Sequence, residues 1–362
     1  MANHKTKVCY VLSYKSPDYI RTRVLVAALS NISDVELSTA INSSKSFLRY
    51  GQTLWLLLKV RLTEHPNVYV LGFRGQEIYW PVRLLTLGKP LIFDEFINMH
   101  DWLGEENDKL PGWLIRFADL YEKAVLITCR LILTDTRLGA ESSHLSYRVP
   151  LDKYQSIYVG ADERLFYPRA VSKHKADKLE VLFYGTMAQL HGLRYILEAA
   201  KLLKKEPIHF TIIGGKDKPN ELKNIANYIK ANSLENVTHK AWVNFDDLPN
   251  LMASCDIFLG GPFGDTSQSK RIITGKTYQA LAVGTATVVG RIAEDNGFED
   301  KLNCLLVEQG SSQALAEAIK WAANNRTQLT SIGKSGSKLY KDKFSVDQIS
   351  NKLEEIIKTI CA

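Results

Sequence analysis

Short apolar segments alternate with helix-like segments along the whole chain, and this alternation restricts the possible fold more than any other feature. Near-continuous apolar runs, typical of strands that are covered on both faces, occupy residues 8–13, 67–72, 90–94, 130–134 and 155–159 of the first half. The intervening segments with helical character are 21–31, 76–87, 113–125 and 139–149. Such alternation predicts a parallel sheet with right-handed crossover connections.

The second half of the chain repeats this pattern. Its predicted strands are 179–184, 208–213, 237–240, 257–259, 286–289 and 304–307. Its predicted helices are 193–204, 220–232, 248–254, 275–283 and 312–324. The two series meet near residues 160–175, where Pro168 and a polar run at 172–178 indicate an interdomain linker.

The predicted fold class is therefore α/β, with two Rossmann-like doubly wound domains that face each other across a cleft. Their predicted extents are 1–165 and 166–344. The remaining residues, 345–362, carry apolar side chains at helical spacing and are expected to form a C-terminal helix that packs back on the N-terminal domain.

Composition limits the environment and the partners. The chain has 362 residues, of which 45% are hydrophobic and 23% charged, and its net charge is +7. Its five cysteines form no CxxC pair, which predicts neither a disulfide framework nor a zinc site and favours the cytoplasm. The apolar runs are far shorter than the ~20 residues of a membrane span. The positive charge suits a protein that handles phosphates or touches anionic lipid, whereas no nucleic-acid-binding motif accompanies it.

Two features of the second half point to an anionic ligand. The glycine-rich segment 260–264 follows an apolar strand, and its glycines, Gly264 among them, would let backbone N–H groups approach a phosphate or a sugar; an ordinary flexible loop is the alternative. Lys276 opens a helix just after Gly275, against the helix dipole, and a phosphate partner would resolve that conflict. The alternative for Lys276, and for Arg271 on the preceding loop, is a solvated surface cation.

From Val181 onward the chain resembles family 4 of the GT-B glycosyltransferases, which are retaining enzymes. The residues that carry the resemblance are the segments 183–186, 191–193, 196–199, 210–215, 241–245, 248–251, 254–259 and 276–284. In the first half, Asp135-Thr136 and the segments 158–162 and 166–168 are similar to the domain crossover of that family.

The resemblance implies that the donor nucleotide sugar binds in the C-terminal domain. The residues that it places at the donor are Gly185, Thr186, His191, Trp242, Val243, Gly264, Arg271, Lys276, Thr277 and Gln279. Gln279 stands where the family usually has a glutamate, and Thr186 and His191 stand where it has a basic pair. At Trp242 we expect the backbone to contact the base while the indole lies in the core.

Candidates in the first domain follow its strands. The resemblance implies a catalytic histidine or acidic group in the loop after residues 90–93, where Asp94, His100 and Asp101 are the candidates; capping or loop roles are the alternative for each. Lys276 of the second domain is also predicted to be catalytic. Arg21 and Arg74 also follow strands and are predicted to contact the acceptor or the donor phosphate.

These features predict a hexosyltransferase that moves a sugar from a nucleoside diphosphate, with UDP favoured, to a hydroxyl of a glycan or lipid-linked acceptor, with retention. No cofactor and no metal are expected beyond the nucleotide sugar, because no DxD triplet lies at a strand end. Two alternatives remain open: a catalytically inactive GT-B scaffold that binds nucleotide or a partner protein, and a GT-B nucleotide-sugar epimerase.

A further prediction concerns residues 43–62, which we expect to lie on the inner face of an anionic membrane. On a helix, Lys45, Arg49 and Lys59 share one side with Gln52. The opposite arc carries Phe47, Tyr50, Leu54, Leu57, Leu58 and Leu62, with Leu48 and Trp55 at its edge. This arrangement is typical of an interfacial helix, although a crossover helix that packs on the sheet has the same pattern.

Overall fold

The computed structural model describes residues 5–100, 103, 111–169 and 177–361. The chain divides into two compact units, Met1–Gly160 with Val346–Ala362, and Ala161–Ser345. The C-terminal segment thus belongs to the first unit, and residues 161–165, which the sequence assigns to the first domain, belong to the second.

The first unit is built on a parallel sheet. Its strands are β1 (Thr6–Leu12), β2 (Val35–Ile41), β3 (Val68–Leu71), β4 (Leu91–Asp94), β5 (Leu131–Thr134) and β6 (Tyr154–Ser156), in the order β2-β1-β3-β4-β5-β6. Its helices are α1 (Ile20–Asn31), α2 (Leu48–Thr63), α3 (Tyr79–Leu85), α4 (Gly112–Thr128) and α5 (Arg137–Tyr147). The final helix, α12 (Val346–Cys361), packs against α1.

Alternate side chains of the inner strand β1 enter two separate apolar layers. Val8 and Tyr10 join the layer that α1 and α12 cover, whereas Cys9 and Val11 join the layer on the opposite face. Both sets are fully buried, which explains why this strand has the near-continuous apolar sequence of a strand covered on both faces.

A buried ion pair corrects the prediction that Arg21 binds the acceptor. Arg21 lies in the first turn of α1 with its side chain fully buried, and its Nη2 is 2.8 Å from Oδ1 of Asp94 at the end of β4. Its Nη1 also donates to the backbone carbonyls of Ile157 and Tyr158. Arg21 and Asp94 therefore tie α1 to β4 and to the chain after β6 in the interior of the sheet.

We expect Asp94→Asn to lower the free energy of unfolding of the protein by about 3–5 kcal/mol, because it leaves the Arg21 guanidinium buried without its counter-charge. Urea unfolding measures this change. The exposed pair of Lys320 with Glu206 provides the control, since Glu206→Gln should cost less than about 1 kcal/mol. Equal losses for the two variants would contradict the structural role of the buried pair.

The second unit also contains a parallel sheet. Its strands are β7 (Leu179–Tyr184), β8 (Ile208–Ile213), β9 (Val237–Lys240), β10 (Ile257–Gly261), β11 (Ala286–Gly290) and β12 (Leu305–Val307), in the order β12-β11-β10-β7-β8-β9. Its helices are α6 (Leu193–Leu202), α7 (Pro219–Ala231), α8 (Leu248–Ser254), α9 (Gly275–Val283), α10 (Ser312–Asn324) and α11 (Arg326–Leu339). No helix in the described ranges is long and apolar enough to cross a membrane.

Candidate functional site

The strand order of the second unit creates a point where the direction of the connections reverses. From β7 the chain continues to β8 and β9 on one side, and β10 then returns to pair with β7 on the other side. In open α/β sheets, ligands bind outside the carboxyl ends of the strands at such a point. The loops after β7 and β10 are therefore the first place to look for a binding site.

Two glycines hold these loops together. Gly192 has a φ of +68°, and a Cβ at this position would lie 2.5 Å from the carbonyl carbon of Phe263. A Cβ on Gly264 would lie 2.6 Å from the carbonyl oxygen of Gln189. The Gly264 N–H donates to the carbonyl of Leu190 at 3.0 Å, so this amide joins the loops and is not directed at a ligand as the sequence suggested.

The joined loops place His191 against Lys276. Lys276, the second residue of α9, is buried with 6% of its surface exposed. Its Nζ lies 2.9 Å from His191 Nδ1 and 5.4 Å from the centre of the Phe183 ring. Gly185 adjoins the same amine, since a Cβ there would lie 3.6 Å from Nζ. The structure thus brings together three of the residues predicted to bind the donor.

The electrostatics of this group favour an anion. Burial lowers the pKa of Lys276 to about 7. Burial and the neighbouring Lys276 and Lys218 lower the pKa of His191 well below its usual value, so the imidazole is neutral and accepts a hydrogen bond from the ammonium. Among the described residues no carboxylate forms a salt bridge with Lys276. A buried cation without a counter-charge is costly, and a bound anion would offset that cost.

The start of α9 adds to the positive potential. Thr274, its N-cap residue, makes no capping hydrogen bond because its Oγ1 donates to the carbonyl of Gly260 at 2.6 Å. The first turn contains no acidic residue. Thr277 is fully buried, and its Oγ1 lies 3.3 Å from the carbonyl of Gly261, so it fastens α9 to β10. An uncapped helix N-terminus and Lys276 therefore act at the same place.

Other predicted donor residues surround this group. Gln279 is buried, and its Oε1 accepts a hydrogen bond from the Tyr184 hydroxyl. Thr186 is exposed, with its Oγ1 3.5 Å from His191 Nε2. Arg271 lies on the loop before α9, where its Nε donates to the carbonyl of Ser267 at 3.1 Å. The Gly185 N–H donates to the carbonyl of Ile213, which makes it part of the sheet.

Trp242 lies on the surface, so the expectation of a core tryptophan is wrong. The residue is 55% exposed, and the Nζ of Lys216 lies 4.5 Å from the centre of its ring. The neighbouring Val243 is partly buried. Trp242 follows β9, a short strand at the edge of the sheet whose side chains are only partly buried or exposed.

The described candidates of the first unit are each paired with another side chain. Asp94 is buried with Arg21, whereas exposed His100 places its Nδ1 3.1 Å from Asp119. Arg74 donates to Glu77, with Nη2 2.7 Å from Oε1. Asp101 lies outside the described residues.

Sequence reasoning missed Phe183 and Tyr184 as members of the site. Phe183 contributes a ring face to Lys276, and the Tyr184 hydroxyl binds Gln279. Their position as the last two residues of the strand that precedes Gly185 was the available signal.

A cavity of about 470 Å³ lies beside this site, between α6 and α7. It is lined by Gln189 and Gly192 of the loop after β7, but not by Lys276, His191 or Gln279. Across the described residues, no group of three or more His, Cys, Asp or Glu side chains is placed to hold a metal ion.

The part of the chain that contains this site is similar in sequence to a known protein family. Residues 178–325 match the family described as glycosyl transferases group 1. No curated protein sequence matches the chain significantly.

Solved structures resemble the whole chain. HepE of Anabaena, in complex with UDP and glucose, has a TM-score of 0.70 and 17% identity over 98% of this chain and 100% of its own. Sucrose-phosphate synthase of Thermosynechococcus elongatus has a TM-score of 0.78 and 14% identity over 98% and 99%. A glycosyltransferase of Rickettsia africae has a TM-score of 0.70 and 15% identity over 98% of both chains.

The fold of the whole chain and the family match of its second unit agree with each other. The match covers β7 to α10 and includes Lys276, His191 and Gln279. The chain thus has the GT-B fold, and its residues 178–325 match the glycosyl transferases group 1 family.

Proposed function

We propose that the protein transfers a sugar from a nucleoside diphosphate sugar, with UDP as the favoured nucleotide, to a hydroxyl group of an acceptor, with retention at the anomeric carbon. The observation that carries this proposal is the buried Lys276, which has no carboxylate partner in the described part of the chain and sits at the uncapped N-terminus of α9. The complexes of Anabaena HepE with UDP-glucose and with UDP and glucose support the choice of nucleotide.

The site suits the departure of a nucleoside diphosphate. As the bond between the anomeric carbon and the β-phosphate oxygen breaks, negative charge grows on that phosphate, while the acceptor oxygen bonds to the carbon and its proton passes to the departing phosphate. The Lys276 ammonium and the first N–H groups of α9 are positioned to stabilise the growing charge. Neutral His191 holds the lysine amine in place by accepting its hydrogen bond.

The remaining donor contacts follow from the neighbours of Lys276. Gly185, Thr186 and Gln279 surround the diphosphate and sugar in this proposal, and Trp242 with Val243 adjoins the base. Because Gln279 is neutral and already accepts from Tyr184, its amide N–H group is the part that would bind a sugar or ribose hydroxyl.

A nucleotide-sugar screen tests the proposal. UDP-glucose should raise the melting temperature of the protein in a concentration-dependent way, and more than ADP-glucose or GDP-glucose at equal concentration. Lys276→Met should abolish the shift, whereas Glu206→Gln, a change on an exposed surface, should preserve it. The absence of any shift with all these nucleotides would refute the donor site.

We also propose that turnover needs neither a divalent metal nor a cofactor, because Lys276 and the α9 N-terminus supply the positive charge that a metal provides in other transferases. Turnover is expected to be unchanged within a factor of about two in excess EDTA, which removes any contribution of metal-bound charge. Loss of activity in EDTA that Mg²⁺ or Mn²⁺ restores would contradict this.

The proposed acceptor is a glycan or lipid-linked saccharide at an anionic membrane surface. In the structure, Leu57 and Val60 of α2 are buried against the sheet, which corrects the predicted arc, because Leu57 belongs to the packed face. The exposed apolar residues of this region are Phe47, Leu48, Trp55, Leu58 and Leu62 on or next to α2, and Trp80, Leu84 and Leu87 on or next to α3. Exposed Lys45 and Lys59 accompany them, and we infer that this surface contacts lipid headgroups.

Lys45→Glu/Lys59→Glu should weaken binding to vesicles of anionic lipid at least tenfold, since each basic residue near such a surface contributes about 1 kcal/mol. Co-sedimentation measures the bound fraction. Lys204→Glu/Lys223→Glu, with equal charge change in the second unit, should bind as the wild type does. Equal pelleting of all proteins, or none with either anionic or neutral vesicles, would exclude this surface.

One observation favours a second function: Gln279, at the position where the family resemblance implies a glutamate, is neutral and paired with Tyr184, which suits an inactive scaffold that still binds nucleotide. Sugar transfer or donor hydrolysis by the wild type that disappears in Lys276→Ala would exclude the scaffold. Nucleotide binding without either reaction would favour it.

A further inference from the structure

The second unit contains a second cavity, which lies near the amino ends of its strands, whereas Lys276 lies near their carboxyl ends. Its volume is about 430 Å³, within the range of small-molecule pockets. Gly284 and Thr285, which directly precede β11, line it together with Ala253 at the end of α8. Because Lys276 adjoins the carboxyl ends of the strands and Thr285 precedes an amino end, the two sites are distinct.

The wall of this cavity is strongly basic. Its charged lining residues are Arg169, Lys334, Lys338, Lys341 and a single carboxylate, Asp342. The three lysines are exposed, and none of them forms a salt bridge with a described residue. Lys338 and Lys341 lie near the end of α11, where they would also offset its dipole, but Lys334 lies a full turn earlier and gains little from that effect.

Two polar side chains line the same wall. Ser337 of α11 is 8% exposed and contributes a hydroxyl to the cavity lining. Arg169 donates from Nη1 to Asn250 and from Nη2 to the carbonyl of Leu165, whereas its buried Nε has no acceptor in the described part of the chain. Buried polar groups are almost always hydrogen-bonded, so the Arg169 Nε suggests a missing acceptor.

We propose that this cavity binds a small soluble phosphate ester or diphosphate. Four cationic side chains against one carboxylate select a multiply charged anion, and the Ser337 hydroxyl and the Arg169 guanidinium offer donors to its oxygens. The cavity is bounded by the C-terminal end of α9, whose other end carries Lys276, so a ligand there contacts the helix that holds the donor lysine.

Isothermal titration calorimetry with pyrophosphate tests the site on the full chain. Lys276→Ala should retain pyrophosphate binding at this cavity. Lys334→Ala/Lys338→Ala should weaken it at least tenfold. Lys343→Ala, which removes one positive charge just after α11 but does not line the cavity, should bind as the wild type does. Circular dichroism would check that each variant is folded.

Ser337→Val adds a test that leaves every charge in place, and we expect severalfold weaker pyrophosphate binding. The proposal is overturned if no protein binds pyrophosphate, if binding disappears in Lys276→Ala alone, or if Lys343→Ala weakens it as much as the double variant. A failure of the proposed donor site would have a different result, since Lys276→Ala would then leave the affinity for UDP-glucose unchanged. That result does not depend on the outcome with pyrophosphate.

Discussion

Lys276→Met is expected to lower kcat/KM by about 10²–10³, the usual effect of removing one group that stabilises transition-state charge. Lys276→Glu should lower it at least tenfold further, because it places a negative charge against the leaving diphosphate. Both follow from a buried amine that has no acidic partner among the described side chains. Steady-state kinetics with UDP-glucose and the natural acceptor would measure these losses.

The melting temperature of the ligand-free protein is the control that shows whether each variant is folded. Lys276→Met removes a buried cation, so the melting temperature of the ligand-free variant should equal or exceed that of the wild type. Lys223→Glu, on the exposed side of α7, reverses an equal charge and should leave kcat/KM unchanged within a factor of about two. Unchanged kcat/KM in both Lys276 variants would show that another residue stabilises the leaving group.

UDP-glucose binding is expected to weaken as the pH rises from 7 to 9. Burial lowers the pKa of Lys276 to about 7, and the anion binds the protonated amine. The donor therefore raises the pKa of Lys276, and binding takes up a proton as the pH increases. The protonated fraction of the free protein falls from about one-half at pH 7 to about 1% at pH 9, so the Kd should rise about fiftyfold.

The neighbouring histidine does not produce this dependence, because the pKa of His191 lies well below its usual value and the ring stays neutral throughout the range. Lys276→Met should bind UDP-glucose weakly, with no dependence on pH between 7 and 9. Calorimetry at several pH values, with Lys223→Glu as the matched control, would measure both. A constant Kd in the wild type would mean that Lys276 does not bind the donor as an ammonium ion.

The sequence predicted the buried strands of both sheets because strands covered on both faces are apolar over their whole length. It did not predict β2, an edge strand with polar side chains at several positions. Edge strands have one unpaired side and need fewer apolar residues, so apolar periodicity detects them poorly.

The sequence also failed to predict α11, which contains Gly333 and Gly336 and therefore has low helix propensity. The structure explains both glycines. A Cβ on Gly333 would lie 2.2 Å from the carbonyl oxygen of Gly284, and one on Gly336 would lie 2.7 Å from that of Asn303. Close packing of this helix on the rest of the unit outweighs propensity, which local sequence cannot show.

Within the site, Lys276 was predictable because its conflict with the helix dipole is local. Its contact with His191 is not local, since it depends on how Gly192 and Gly264 join two loops. Arg21 was misplaced for the same reason: its partner Asp94 lies 73 residues away, and only the packing of α1 on β4 brings the two together. Pairings of this kind require the sheet order.

The most direct test of the proposed donor site at Lys276 is a crystal structure of the protein with UDP-glucose. We predict that a diphosphate oxygen lies within about 3 Å of Lys276 Nζ, in front of the first turn of α9. The uridine would then extend toward Val243, and the sugar toward Gln279. A nucleotide bound only at the first unit, or a diphosphate that does not contact Lys276, would contradict the assignment of the donor site to Lys276.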